Sequence, residues 1–134
     1  MASRRILTDT ITLYNYAGEV NDIATYQETI LRYCYCPADK GIGNGLHAKK
    51  PAETSRLYVF DHKTVAESPE GYRRSYLPYE QWKQMEDKTP YWTLNDCGDD
   101  FFVKEGKTAR FNIIKFSHKT TGTRRMWHFE VDAK

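Results

Sequence analysis

The stretch ARFNIIKFSHKTTGTRRMWHFEV, residues 109–131, decides the fold class. In its closing part, RRMWHFEV (124–131), Trp127, Phe129 and Val131 alternate with Met126, His128 and Glu130. That period of two is how a strand sends one set of side chains into a core and the other toward water. ARFNIIKFSH (109–118) reads as the partner strand. TTG at 120–122 is a hairpin connection between them, because Gly122 takes a positive φ without a Cβ clash.

Working outward, DDFFVKEG (99–106) after the NDCG turn and YWTL (91–94) after Pro90 read as further strands, as does RLYVF (56–60). At the start of the chain, TDTITLYNY (8–16) sets Ile11 and Leu13 against Thr10, Thr12 and Tyr14. Turn chemistry at Gly18 and Asn21-Asp22 leads into ATYQETILRYCYC (24–36), where Gln27, Thr29, Leu31, Tyr33 and Tyr35 fall on one face. Its β-branched content favours a strand, with helix left open before Ile30.

Two stretches break the pattern. Gly41, Gly43, Gly45 and Pro51 make the segment of about 37–55 a long loop, and DHKTVAESPEGYRRS (61–75) is a second excursion. The one helix expected is short, over about 78–87 within LPYEQWKQMEDK (77–88), with Pro78 suited to a first turn and Trp82 and Met85 sharing a face. The expectation is therefore a mainly β chain, one domain over 1–134, built as a small antiparallel β-barrel of about five to seven strands or a sandwich.

Composition bounds the function. With 134 residues, 40% hydrophobic and 14% aromatic, the chain buries a core without help from disulfides or metal. Lys and Arg total 20 against 18 acids, and a net charge of +2 does not advertise sequence-independent nucleic-acid binding. No secretory leader or membrane-length apolar run occurs, which reads as a soluble protein made in the cytoplasm. Three cysteines, 34, 36 and 97, are then expected as reduced thiols.

No catalytic arrangement emerges. Cys34-x-Cys36 lacks the spacing and second pair of a zinc knuckle, so structural cysteines, buried or at a sheet edge, are the stronger reading. His118 and His128 lie on adjacent expected strands and face each other there, yet an ordinary sheet role outweighs an acid–base pair. Asp96, Asp99 and Asp100 have the oxygen chemistry of a cation site, but a solvated turn suits them better. No nucleophile stands with a base, and no metal, cofactor or enzyme activity is expected.

A longer pattern carries a resemblance. Asp9 to Asn15 (DTITLYN), Thr25 to Leu31 (TYQETIL), a long loop, Arg56 to Phe60 and Tyr76 to Trp82 (YLPYEQW) follow in order. Tyr91 to Leu94, Gly98 to Gly106 (GDDFFVKEG) and the closing run His118 to Val131 complete it. This order resembles the head-closure (stopper) and minor-capsid neck proteins of tailed phages, especially those of Gram-positive bacteria, over Leu7 to Lys134.

The resemblance implies a small β-barrel with a helix and a long loop between early strands. It implies a virion location at the neck, as a ring of hexameric or dodecameric order made in the host bacterial cytoplasm. An adaptor or connector protein would lie above the ring and a tail terminator or tail tube protein below, with packaged double-stranded DNA in the channel and no membrane. The implied DNA-channel loop is Pro37 to Ser55, with Lys40, Gly41, Gly43, Gly45, His47, Lys49 and Lys50; the implied ring-interface residues are Tyr72, Arg73, Arg74 and Tyr76. The excursion at 61–75 and the longer GDD stretch depart from the usual pattern, and a related neck or tail-completion role is the neighbouring reading. Residue chemistry alone offers a different alternative, an OB-like single-stranded nucleic-acid binder with tyrosines as stacking platforms.

Overall fold

The structure is a computed structural model that describes residues 7–37, 55–96 and 98–134. Nine strands dominate it: β1 (Asp9–Val20), β2 (Ile23–Cys34), β3 (Ser55–Phe60), β4 (Val65–Glu67), β5 (Ser75–Tyr76), β6 (Tyr91–Trp92), β7 (Phe101–Lys104), β8 (Arg110–Lys119) and β9 (His128–Ala133). Seven run in the order β3-β9-β8-β7-β1-β2-β4, each pair antiparallel, while β5 and β6 form a separate parallel pair. Among the described residues no helix is long and apolar enough to cross a membrane.

The mainly β expectation holds, but the sheet does not close into the expected barrel and is sandwich-like instead. Two irregularities explain the shape. β8 pairs with β7 through Phe111 and Asn112 and with β9 through Ile113 onward, with a register shift between Ile113 and Lys115. A bulge there bends the strand, so one continuous β8 serves both halves. At the opposite end, the outer edge of β2 is taken by three residues of β4. Among the described residues one bridge, Tyr35 with Tyr58, then ties the chain after β2 to β3. A single pair of backbone bonds (3.0 and 2.8 Å) replaces the ladder that a barrel would need.

Ile11, Leu13, Leu31, Leu57, Phe102, Phe111, Phe129 and Val131 meet in one contiguous core. The alternation read in β9 holds from His128 on, with Phe129 and Val131 buried; Gly122, at φ +79°, lies in a connection that runs over 120–127 and not the expected 120–122. Met126 leaves the strand pattern because residues 124–126 form a 3₁₀ turn.

In β2 the face expected beyond Leu31 is inverted. Tyr33 sits in the left-handed region at φ +62°, and the pairing with β1 slips there, from Thr10 opposite Arg32 to Asp9 opposite Cys34. One extra residue reverses parity, because successive side chains alternate faces. Cys34 and Cys36 therefore enter the core, and Tyr33 and Tyr35 turn to solvent.

The helix is also shorter than expected. α1 spans only Tyr79–Trp82, anchored by a buried Trp82. Beyond it the bonds tighten to the i−3 type, from Gln84 to Gln81 and from Met85 to Trp82. Lys88 Nζ then donates to the Met85 carbonyl at 2.9 Å. Met85 is only partly buried, so no second apolar turn holds a longer helix in place. Within the 61–75 excursion, β4 and a bridge from Glu67 to Arg73 supply order that turn residues alone did not announce.

Candidate functional site

Two features stand out, at opposite ends of β2. The first is an open cleft of about 390 Å³ between the β3–β9 edge and the 73–76 segment. Its floor is aromatic: Phe129 of β9 packs on Tyr76 (centroids 4.6 Å apart), which meets Trp92 edge-on at 5.1 Å. Antiparallel register sets His118 of β8 opposite Phe129, and the imidazole stacks on that ring at 4.0 Å and 7°. The far nitrogen of the same imidazole, Nε2, lies 2.7 Å from Asp61 Oδ2, in the turn after β3. His128, by contrast, takes Glu130 Oε2 at 3.0 Å and the Met126 carbonyl at 2.9 Å. The two histidines expected to face each other thus each have a carboxylate of their own.

The cleft's Thr64 hydroxyl is committed to the backbone, accepting from the Phe60 N–H (2.9 Å) and donating to the Tyr33 carbonyl (2.8 Å). On the opposite wall Arg74 turns inward. Its Nε donates to the Thr89 carbonyl at 2.8 Å, and Nη1 donates to Thr29 Oγ1 at 2.9 Å and to the Glu28 carbonyl. Burial depresses the Arg74 guanidinium below its ordinary range. Arg74 is a staple between β2 and the 73–76 segment, and Tyr76, half-buried on the floor, has its phenol pushed up by the same loss of water. Of the four residues expected at a ring interface, Tyr72 and Arg73 are therefore the solvent-facing pair, with Tyr72 67% exposed.

The second feature is the tip of the β1–β2 hairpin. β7 flanks β1 only from Ile11 to Tyr14, and β4 flanks β2 only from Ile30 to Arg32. The outer half of the hairpin consequently extends past both neighbours. Its turn, Asn21-Asp22, has φ of 54° and 64° in succession, the two-residue geometry that matches strand twist. Val20 and Ile23 pair across it, 60% and 69% exposed, beside Glu19 and Asp22. The sequence announces the turn but not the exposure of its flanks; the signal was the pair of branched aliphatics flanking Asn-Asp where a polar tip is usual.

The acidic turn is not the solvated turn expected throughout: Asp96 and Asp99 are exposed, but Asp100 turns into the protein to meet β1. Asp100 is buried, accepts from Asn15 Nδ2 (2.8 Å) and from the Tyr16 backbone N–H (2.8 Å), and has its carboxyl raised by burial against the pull of those bonds. Among the described residues no group of three His, Cys, Asp or Glu is placed to hold a metal ion. Cys34 is sealed: burial pushes its thiol well up, and Sγ donates to the Asp9 carbonyl at 3.3 Å. The expected channel-loop residues Lys40, Gly41, Gly43, Gly45, His47, Lys49 and Lys50 lie outside the described residues, as does Cys97.

Residues 6–134 match a family described as a family of unknown function (DUF6751), and the chain belongs to that family. No curated protein and no solved structure matches it.

Proposed function

We propose that this DUF6751 protein is a non-enzymatic virion structural component of a tailed-phage neck. In this reading it forms a ring between the portal and adaptor on one side and the tail on the other, closing the head channel over packaged DNA. The observation that carries the proposal is the projecting β1–β2 hairpin. An isolated two-stranded ribbon with Val20 and Ile23 in water is a poor solution for a lone monomer, and a natural one for a subunit whose tip is covered by a neighbour. Outward tyrosines at 33, 35 and 72 add aromatic contact area of the kind enriched in interface cores. The ordered segment pattern from Leu7 to Lys134 supports the same reading.

In a ring, the lysines and histidine of the 37–55 stretch would repeat once per subunit, multiplying a small charge per chain. The test is the particle. The protein is expected in purified virions, with immunogold label at the neck, and its deletion should give filled heads that lose DNA and lack tails. Its absence from virions, or intact DNA-retaining tailed particles after deletion, overturns the proposal.

One observation favours a second reading, single-stranded nucleic-acid binding. Tyr14 and Tyr26 pack on Phe101, Tyr16 meets Tyr26, and the Arg110 guanidinium lies 4.2 Å from the Phe101 ring. Oligonucleotide affinity that is strong at low salt and falls steeply with added salt would select it.

A further inference from the structure

We infer that the apolar–acidic tip of the β1–β2 hairpin of one copy seats in the aromatic, basic-rimmed cleft of the next copy. This rests on the ring reading above and names its subunit contact. The chemistry of the two surfaces is complementary. The tip presents Val20 and Ile23 with Glu19 and Asp22 beside them, and no Lys or Arg occurs from residue 17 to 24. The cleft presents half-buried Phe60 and Tyr76 over a floor closed by the core residues Trp92 and Phe129, and its lining carries Arg73, Arg74 and His118 against Asp61, with Glu70 near enough to act on Arg74. Asp61 is already engaged by His118 at 2.7 Å. Arg73 stands exposed at the rim, where it meets an incoming carboxylate without breaking an internal staple, as Arg74 would.

Geometry makes the contact intermolecular. The cleft adjoins the far end of β2, since Thr64 bonds the Tyr33 carbonyl and Ala66 pairs with Leu31. Ile23, at the tip, opens the same strand. Ten residues of extended chain separate Ile23 from Tyr33, about 33 Å at the strand rise, so a tip cannot reach its own cleft. A contact between two different patches on opposite ends of one molecule is heterologous, and its repetition closes a ring or continues as a filament. A cleft of about 390 Å³ falls in the range that takes a small apolar group with a few polar contacts.

The experiment uses the full chain with Cys97 replaced by Ser, leaving Cys34 and Cys36 in the core. Ile23→Cys and Arg73→Cys chains, mixed at high concentration under mild oxidation, should form a mixed disulfide dimer at least about tenfold faster than either chain alone. In separate chains, Glu19→Lys and Arg73→Glu should each weaken self-association about tenfold, and the double variant Glu19→Lys/Arg73→Glu should recover it. The double variant also controls for folding, since recovery requires intact protein. Cross-linking no faster in the mixture than in the single chains, or charge reversals with no effect, overturns the tip-in-cleft contact. Self-association through another surface would do so while leaving the ring reading intact; absence from virions with a confirmed tip-in-cleft disulfide would do the reverse.

Discussion

Asn15 donates through Nδ2 to Asp100 Oδ2 at 2.8 Å, and the same amide donates to the Thr93 carbonyl at 2.9 Å. Both side chains are buried, 85 residues apart in sequence, and with the Tyr16 N–H they fasten the start of β7 and the chain after β6 to the middle of β1. This is where the projecting hairpin leaves the body of the protein, so the link fixes the direction in which the tip points.

Asn15→Ala should cost about 2–3 kcal/mol of stability by urea denaturation, because it removes a bond to a charged group and leaves a buried carboxylate one donor short. The pH dependence gives a sharper check. The Asn15 bond holds the Asp100 carboxyl down against burial, so its loss raises that carboxyl further. A folded-state value above the unfolded one contributes stability at pH below the ordinary aspartate range and loses it as pH rises through the folded value. The deficit of the variant relative to the parent should therefore be larger at pH 7 than near pH 3.5; an equal deficit at both would show that the charge is not involved.

Arg74→Ala should destabilise by about 2–4 kcal/mol and Arg74→Lys by nearly as much, since a point ammonium cannot reach Thr89, Thr29 and Glu28 together. Arg73→Ala, one residue away and exposed, should stay within about 0.5 kcal/mol. Thermal melts of the three variants read this contrast, and equal losses at 73 and 74 would contradict the staple.

Tyr33→Ile should destabilise by about 1–2 kcal/mol, because a β-branched residue resists the left-handed backbone held at φ +62°. Tyr33→Gly should fold at least as stably at the backbone level, although it gives up an exposed ring. A stable Ile variant, together with a destabilised Gly variant, would mean that the parity change at this residue comes from something other than its backbone.

The Cys34 thiol should resist alkylation in the native state at pH 8 and react only on unfolding, since burial raises it far above its ordinary range and thiolate is the reactive form. Mass-spectrometric mapping after brief iodoacetamide treatment measures this. Rapid labelling of Cys34 in native protein would show that the end of β2 is open.

Much of the fold was legible in the chain. Alternation in β1 and β9, the strand at β8, the positive φ of Gly122 and the short RLYVF strand all follow from side-chain period and turn chemistry, which are local properties. Local properties do not reach what depended on a partner strand. The helix at 78–87 read as longer than α1 because a periodic pattern cannot report that Met85 finds little to pack against. Leu31, Tyr33 and Tyr35 read as one face, but a one-residue slip against β1 is a property of two strands, and it turned Tyr33 and Tyr35 outward and Cys34 and Cys36 into the core.

The candidate site divides along the same line. Sequence by itself determined a β-rich chain of nearly balanced charge, with a two-residue Asn-Asp turn between two apolar residues and a pair of arginines in an excursion. Only the tertiary structure decided that Arg74 is a staple while Arg73 is free at a rim, and that Asp61 and His118, 57 residues apart, share one cleft. It also decided that the hairpin outruns its neighbours, because β4 and β7 stop short. The physical reason is common to all three. Burial and reach are set by which strands lie side by side and where each ends, and strand pairing joins residues that the linear chain keeps far apart.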